Sequence, residues 1–417
     1  LHRLGRAVPW CGDAFVFPES EKGLGQMLEH AMGAYYIQAV APMVAVEVLA
    51  PRPGERVLDL CAAPGGKTTQ IAARMHNSGL LIANEIQHKR IPALVGNLER
   101  CGVVNYALTR APGAMLARYF HNFFDRVLVD APCSGDGIVR KDQNMLDYWS
   151  PQDAARLAQQ QTGLLRAAYH MLRPGGTLVY STCSLSLEEN EHVVLGLLRR
   201  FGADVEIRAI DGVEYPPLPA DQAAQFPAEF SRCVRVWPHR HDTEGAFIAH
   251  LSKRVPTTNP HTEADAATWA AETIHDPAAT AAKKAIEERW QGQLPCPPDQ
   301  AFTLSHRHLC LQPALGPALQ RQLPYFVRAG MRVARRHKDY HYLTQQTVAL
   351  WGHLLQGPSV DLNREQIQTL FQGQPVHLDP PPDRKGEVLC RFGPWTTCRA
   401  LVKEEGRLLE GMLPRTF

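Results

Sequence analysis

The strongest constraint on this chain is a repeat of short apolar run, turn and helix-spaced segment between about residues 54 and 254. "RVLDLC" (56–61), "LLIANE" (80–85), "NYALTR" (105–110), "FDRVLVDAP" (124–132) and "GGTLVYSTC" (175–183) read as buried strands. Between them, "KTTQIAARM" (67–75), "HKRIPALVGNLERCG" (88–102) and residues 151–172 carry apolar residues at helical spacing. Ser150-Pro151 supplies an N-cap and a proline at the first helical position, and Gly202 closes a helix over "LEENEHVVLGLLRRFG" (187–202). Regular βα alternation predicts an α/β fold with a doubly wound, mostly parallel sheet. In such sheets ligands sit at the carboxyl ends of the strands. The chemistry-bearing motifs of this sequence fall at those ends.

The rest of the chain is organised around that unit. Its 417 residues exceed one ordinary core, which predicts two or three domains. "AYYIQAVAPMVAVEVL" (34–49) reads as an amphipathic helix leading into the sheet unit. Residues 255–285, rich in Pro, Thr and Ala, read as a linker with some helical content. After 286 the apolar runs are short and broken by Pro and Gly, as in "LPYFVRAGMRV" and "GEVLCRFGPW", which predicts a small β-rich domain reaching Phe417. No apolar run approaches the roughly 18 residues of a membrane helix. The chain opens on Leu1 without a methionine, which reads as a truncation. The 10 cysteines are scattered with no Cys-x-x-Cys pair, so neither a metal site nor a disulfide scaffold is expected. The net charge is only +2, but "FVRAGMRVARRHKDYHY" (326–342) concentrates Arg328, Arg332, Arg335, Arg336 and Lys338 among aromatics. Such a cluster is a candidate nucleic-acid footprint, and a solvated basic face is the competing reading.

Three motifs carry chemistry. "LDLCAAPGGKTTQ" (58–70) is a strand, a glycine turn and a helix start, so backbone amides can approach a ligand. It is not a phosphate loop, because Cys61 stands where that pattern needs glycine, and it lacks the dinucleotide fingerprint. With Asp59 before it and Glu85 ending the next strand, it suits a ribose-bearing cofactor, the carboxylate accepting the ribose hydroxyls. A plain βα turn is the alternative. "DAPCSG" (130–135) sets Asp130 and Cys133 in a turn stiffened by Pro132, and "STCS" (181–184) sets Cys183 at another strand end. Either cysteine alone would pass for an inert buried thiol. Two thiols and an acid at strand ends fit a specific reaction if the cofactor is a methyl donor. Carbon 5 of a pyrimidine takes a methyl group only after a thiolate adds to carbon 6. Ring nitrogen 3 must be protonated meanwhile, a task for Asp130 if burial raises its pKa. The second thiol can assist the final elimination.

"DLCAAPGGKT" (59–68), "DAPCSG" (130–135) and "STCS" (181–184) resemble, in order, the Sun/Fmu/Nop-type RNA 5-methylcytosine methyltransferases. "PWC…FVFP" (9–18), "GAYYIQ" (33–38) and "WPHRHDTEGAFIAHL" (237–251) are similar to the bacterial RsmF (YebU) branch, which methylates small-subunit ribosomal RNA. The resemblance implies a Rossmann-like methyltransferase domain over 51–254 that uses S-adenosyl-L-methionine. Residues 1–50 would be the remnant of an N-terminal RNA-binding region with a lead-in helix. Residues 255–285 would be a linker and 286–417 a PUA-like RNA-binding domain. By resemblance Cys183 is the nucleophile and Cys133 assists product release. Asp130 and Lys67 complete the catalytic set. Cys61, Ala62, Ala63, Pro64, Gly65, Gly66, Lys67, Glu85 and Asp130 hold the cofactor or the target base. Arg328, Arg332, Arg335, Arg336 and Lys338 would grip RNA phosphates. Where many members carry an acid after the third strand, this chain has Arg110 and Pro112, so backbone groups would serve the adenine there. The expected partner is ribosomal RNA or the small ribosomal subunit, for a monomer in the cytoplasm. A tRNA cytosine-5 methyltransferase, a non-catalytic ribosome-assembly factor and a DNA cytosine methyltransferase attacking through Cys133 are the rival readings.

Overall fold

The computed structural model describes residues 5–18, 23–139, 150–211, 218–258, 269, 274–338, 340–379, 386–403 and 408–412. Strands β1 (Arg6–Val8) and β2 (Cys11–Val16) form an antiparallel hairpin ahead of the main sheet. The main sheet takes β3 (Arg56–Asp59), β4 (Leu80–Asn84), β5 (Tyr106–Thr109), β6 (Phe124–Asp130) and β7 (Leu172–Thr182) as its parallel strands. β8 (Val205–Arg208), β9 (Val234–Val236) and β10 (Ala246–Lys253) follow. Every expected strand and helix of the 54–254 unit is present, with ends shifted by a few residues.

The strands are apolar end to end because both faces of the sheet are covered. One face carries Leu58, Ile82, Val127 and Leu178 under the Pro151–Met171 helix, and the other carries Val57, Leu81, Leu128 and Val179 under the Ala41–Leu49 helix. The Pro151–Met171 helix starts where the sequence predicts, with the Ser150 hydroxyl accepting from the Asp153 amide. The helix expected over 34–49 spans only Ala41–Leu49 and is buried nearly all round, since it packs on the central sheet rather than on a surface. The order in which strands are added to the sheet reverses between the parallel neighbours β3 and β6, and their carboxyl ends bring Asp59 and Asp130 to the switch point.

The sheet runs β5-β4-β3-β6-β7-β10-β8, with β9 also on β10, and its last strands are antiparallel. The far edge, beside β5, is closed by β13 (Phe326–Ala329), an antiparallel strand from the C-terminal third. Leu315, Leu319, Leu323 and Ala329 sit in the same core as Leu58 and Phe124. The segment around β13 therefore belongs physically to the main sheet, although the sequence assigns it to the β-rich region.

That region holds two sheets. β11 (Gln300–Ser305), β12 (His308–Pro313), β14 (Met331–His337) and β15 (Tyr340–Leu343) form the first. β16 (Ser359–Asp361), β17 (Val376–His377), β18 (Gly386–Phe392), β19 (Trp395–Lys403) and β20 (Leu408–Gly411) form the second. Part of the expected linker is a helix, Pro277–Trp290, capped by Asp276 and burying Ala279, Ala282, Ile286 and Trp290. Its alanines look like linker composition but form a buried stripe at helical spacing. Trp269 stacks on Phe120 at 5.2 Å, and residues 259–268 and 270–273 lie outside the described residues.

Candidate active site

The turn after β3 is built by its own side chains. The Thr68 hydroxyl donates to Asp59 Oδ2 at 2.7 Å, the Asn97 amide donates to the Pro64 carbonyl at 2.9 Å, and Arg90 donates to the Ala63 carbonyl. Gly65 sits at φ +114°, where a side chain is strained, and a Cβ there would approach Leu94 to 3.2 Å. This turn leads into the Gly66–Arg74 helix, whose first amides face the strand ends.

Two buried acids flank the turn. Asp59 is 1% exposed, and burial pushes its carboxyl up to about 7 despite the Thr68 hydrogen bond. Its Oδ1 has no hydrogen-bond partner. Glu85, after β4, is 3% exposed; its Oε1 accepts from the Gln87 amide, while Oε2 faces Arg90 at 3.3 Å without a hydrogen bond. A glycine turn, a helix start and two buried acceptors short of donors fit a ligand bearing hydroxyl and ammonium donors. At the end of β5, Arg110 is exposed and its amide is taken by the Tyr325 carbonyl, while the Ala111 amide is taken by Asn84.

The second cluster lies at the ends of β6 and β7. Lys67 donates to Asp130 Oδ2 at 2.6 Å, and the Ser181 hydroxyl donates to Oδ1 at 2.8 Å. Burial pulls the Lys67 ammonium down, but Asp130 outweighs it and the net displacement is upward. Asp130 was expected to be buried; its side chain is 32% exposed and both its oxygens accept, because the strand end opens to a cavity.

The sulfurs of Cys133 and Cys183 stand 2.8 Å apart, and the Cys183 amide donates to the Cys133 sulfur at 3.2 Å. Both are free thiols, well beyond the ~2.05 Å of a disulfide. The hydrogen bond with Cys183, followed by burial, pushes the Cys133 thiol well up. Gly137 passes so close to the Cys183 carbonyl that a Cβ would lie 2.4 Å from it. A cavity of about 200 Å³ opens here, lined by Lys67, Asp130, Ser181, Cys183 and Glu244, with Ala41 on its wall.

The structure thus brings Lys67, Asp130, Cys133 and Cys183 together, and sets the 61–66 turn and Glu85 at the adjoining strand ends. It does not bring the five basic residues together as one patch. Arg332, Arg335, Arg336 and Lys338 are exposed on β14 or its end. A bulge that skips Val333 opposite β12 puts Arg332 and Arg335 on one face. Arg328 is on β13 instead, paired with Glu99 at 2.8 Å and 5.9 Å above the Tyr106 ring centroid. Its cation is spent on packing, which corrects the expectation that it faces a phosphate. Sequence reasoning missed Ser181, Glu189 and Glu244. The acid run 188–191 directly after a strand end was the available signal for Glu189.

This fold and these strand-end groups define a methyltransferase of the Rossmann-like type. Residues 46–252 match the family described as 16S rRNA methyltransferase RsmB/F. The Klebsiella pneumoniae (strain 342) ribosomal RNA small subunit methyltransferase F is 35% identical, over 98% of this chain and 83% of that protein. Its Aliivibrio fischeri (strain MJ11) namesake is 33% identical, over 98% of this chain and 84% of that one. Among solved structures, a methyltransferase homolog from Pyrococcus horikoshii is 33% identical with a TM-score of 0.53, over 60% of this chain and 78% of its own. The chain belongs to the RsmB/F family of 16S rRNA methyltransferases. It is an RNA methyltransferase, with S-adenosyl-L-methionine as methyl donor.

Proposed function

We propose that the chain methylates carbon 5 of a cytosine in small-subunit ribosomal RNA through a covalent intermediate on Cys183. The carrying observation is Cys183 on one cavity with the Lys67–Asp130 pair, its sulfur 2.8 Å from that of Cys133. Cys133, displaced upward, holds its proton and donates it toward the Cys183 sulfur, leaving Cys183 as the attacker. The Lys67 ammonium lies in the field of Cys183, which adds to the upward displacement of the lysine.

S-adenosyl-L-methionine supplies a methyl group on a sulfonium, held by the 61–66 turn, Asp59 and Glu85. The Cys183 thiolate bonds to carbon 6 while the Lys67–Asp130 pair delivers a proton to ring nitrogen 3. This revises the expectation for Asp130 alone, since its oxygens are already acceptors. Carbon 5 then takes the methyl group. The carbon-5 proton passes to solvent water in the cavity, its bonding pair re-forms the double bond and expels Cys183 as a thiolate that accepts a hydrogen bond from the Cys133 thiol, and the nitrogen-3 proton returns to the Lys67–Asp130 pair.

The catalytic unit is taken as 51–254 plus the β13 edge. Arg332, Arg335, Arg336 and Lys338 would contact RNA phosphates within a PUA-like region, and the enzyme would act as a cytoplasmic monomer. Burial and then the arginines Arg332, Arg335 and Arg328 push the His308 imidazole down, a sign of the positive field on that face.

The test uses Cys133→Ala and Cys183→Ala with methyl donor and small-subunit rRNA on a denaturing gel. Cys133→Ala should accumulate a protein–RNA adduct, and Cys183→Ala should give neither adduct nor 5-methylcytosine. An adduct that survives loss of Cys183 overturns the assignment, and methylation of tRNA alone overturns the substrate.

A further inference from the structure

We propose that Glu189 is a positioning residue whose carboxylate ties the Cys133 loop to the Cys183 loop, so that the Cys133 sulfur is held against Cys183 at the cavity that Cys183 lines. The inference rests on the two-thiol reading above. Glu189 is 0% exposed and lies in the turn before the Glu191–Phe201 helix. Its Oε2 accepts from the Ser134 amide at 3.0 Å and from Gln161 Nε2 at 2.8 Å. Its Oε1 accepts from the Ser184 hydroxyl at 2.9 Å and from the Ser134 hydroxyl. Ser134 follows Cys133 and Ser184 follows Cys183, so one side chain holds the residue after each thiol. Gln161, from the Pro151–Met171 helix, also donates to the Pro132 carbonyl at 2.9 Å, which fixes the other side of Cys133.

The donor set explains why the residue is an acid. Each carboxylate oxygen receives two donors, and none of the four comes from a cation. A glutamine can keep these contacts only by turning its NH₂ to the two serine hydroxyls, which would then accept, whereas an alanine removes all four. Neighbouring groups hold the turn without Glu189. Asn190 accepts from Thr182 Oγ1 at 2.6 Å and donates to the Ser184 carbonyl at 2.9 Å. Glu191 is bound by Arg235 through Nε at 2.9 Å and Nη2 at 2.5 Å. Loss of Glu189 should therefore loosen the thiols more than the fold.

The test measures two independent things in the full chain: diamide-driven Cys133–Cys183 crosslinking, followed by peptide mass spectrometry, and steady-state methylation of small-subunit rRNA. In the first, two thiols pass two electrons and two protons to diamide, so it reads thiol geometry without activity. In Glu189→Ala, crosslinking should slow by about tenfold and kcat should fall by about 10²-fold. The KM for S-adenosyl-L-methionine should stay within about threefold, since the cofactor turn is on another strand. Should Glu189→Ala not fold, Ser134→Ala and Ser184→Ala each weaken one loop's tie and should each slow crosslinking and turnover by about fivefold. Crosslinking and kcat within twofold of the parent in these variants overturn the proposal. So does a parent chain that fails to crosslink, or a fall in kcat with unchanged crosslinking. A parent that crosslinks but forms no 5-methylcytosine defeats the catalytic reading alone, and the crosslinking arm still judges Glu189.

Discussion

The catalytic sheet and the C-terminal sheets are both rich in charge, but they use it oppositely. At the strand ends of the main sheet, Lys67, Asp130, Glu189 and Glu191 are each bound by named partners in the interior. On β14, Arg332, Arg335, Arg336 and Lys338 project into solvent. Interior charge must be matched atom by atom, because an unmatched ion in a low dielectric is expensive. Exposed charge needs no fixed partner and is free to meet a polyanion. Removing one partner should therefore disable or unfold the first region, and should change only binding in the second.

The largest effect should come from Cys183→Ala, which should lower methylation by about 10⁴-fold or more while leaving the unfolding transition in place. A variant keeping a tenth of the activity would remove the interior site from catalysis. Glu191→Ala should come next, costing about 3–5 kcal/mol in chemical denaturation, since it strands Arg235 at 3% exposure.

Asp59 gives a pH test. Its folded carboxyl is pushed up to about 7, so its contribution to stability is fully present below the unfolded carboxylate range and is lost as pH rises through 7. The unfolding free energy of Asp59→Asn should gain on the parent between about pH 4 and 7, by about 1.4 kcal/mol per pH unit at most. Parallel curves would refute the buried, donor-poor description of that acid.

Arg328→Ala tests where the two regions join. It removes the Glu99 pair and the cation above Tyr106, and should cost about 2 kcal/mol and lower a single shared unfolding transition. If only a C-terminal transition moved, β13 would not be integral to the catalytic sheet. Smallest in stability is Arg335→Ala with Arg336→Ala, expected within about 0.5 kcal/mol of the parent. Their effect should be on RNA affinity, flattening its salt dependence by about 0.7–0.9 per lost phosphate contact.

How much was legible follows from the same contrast. The parallel strands announce themselves, because burial on both faces makes each a continuous apolar run. "FDRVLVDAP" and "GGTLVYSTC" also carry or directly precede the residues proposed for the chemistry, Asp130, Cys133 and Cys183. β13 was not legible. "YFVRAG" resembles any short edge strand, and nothing local says that its partner is β5, more than two hundred residues earlier. The Pro277–Trp290 helix was legible only as some helical content in a linker, because its small residues pack closely yet score as linker composition.

The sequence by itself determined the alternating strands and helices, the glycine turn, and the two cysteines at strand ends, because these are set by local periodicity and backbone sterics. Only the tertiary structure decided that the two sulfurs meet, that Asp130 is held by Lys67 and Ser181, that Arg328 is a packing residue, and that Glu189 turns inward to join both thiol loops. Those outcomes depend on which side chains from distant segments must satisfy each other once water is excluded, and no local pattern encodes that matching.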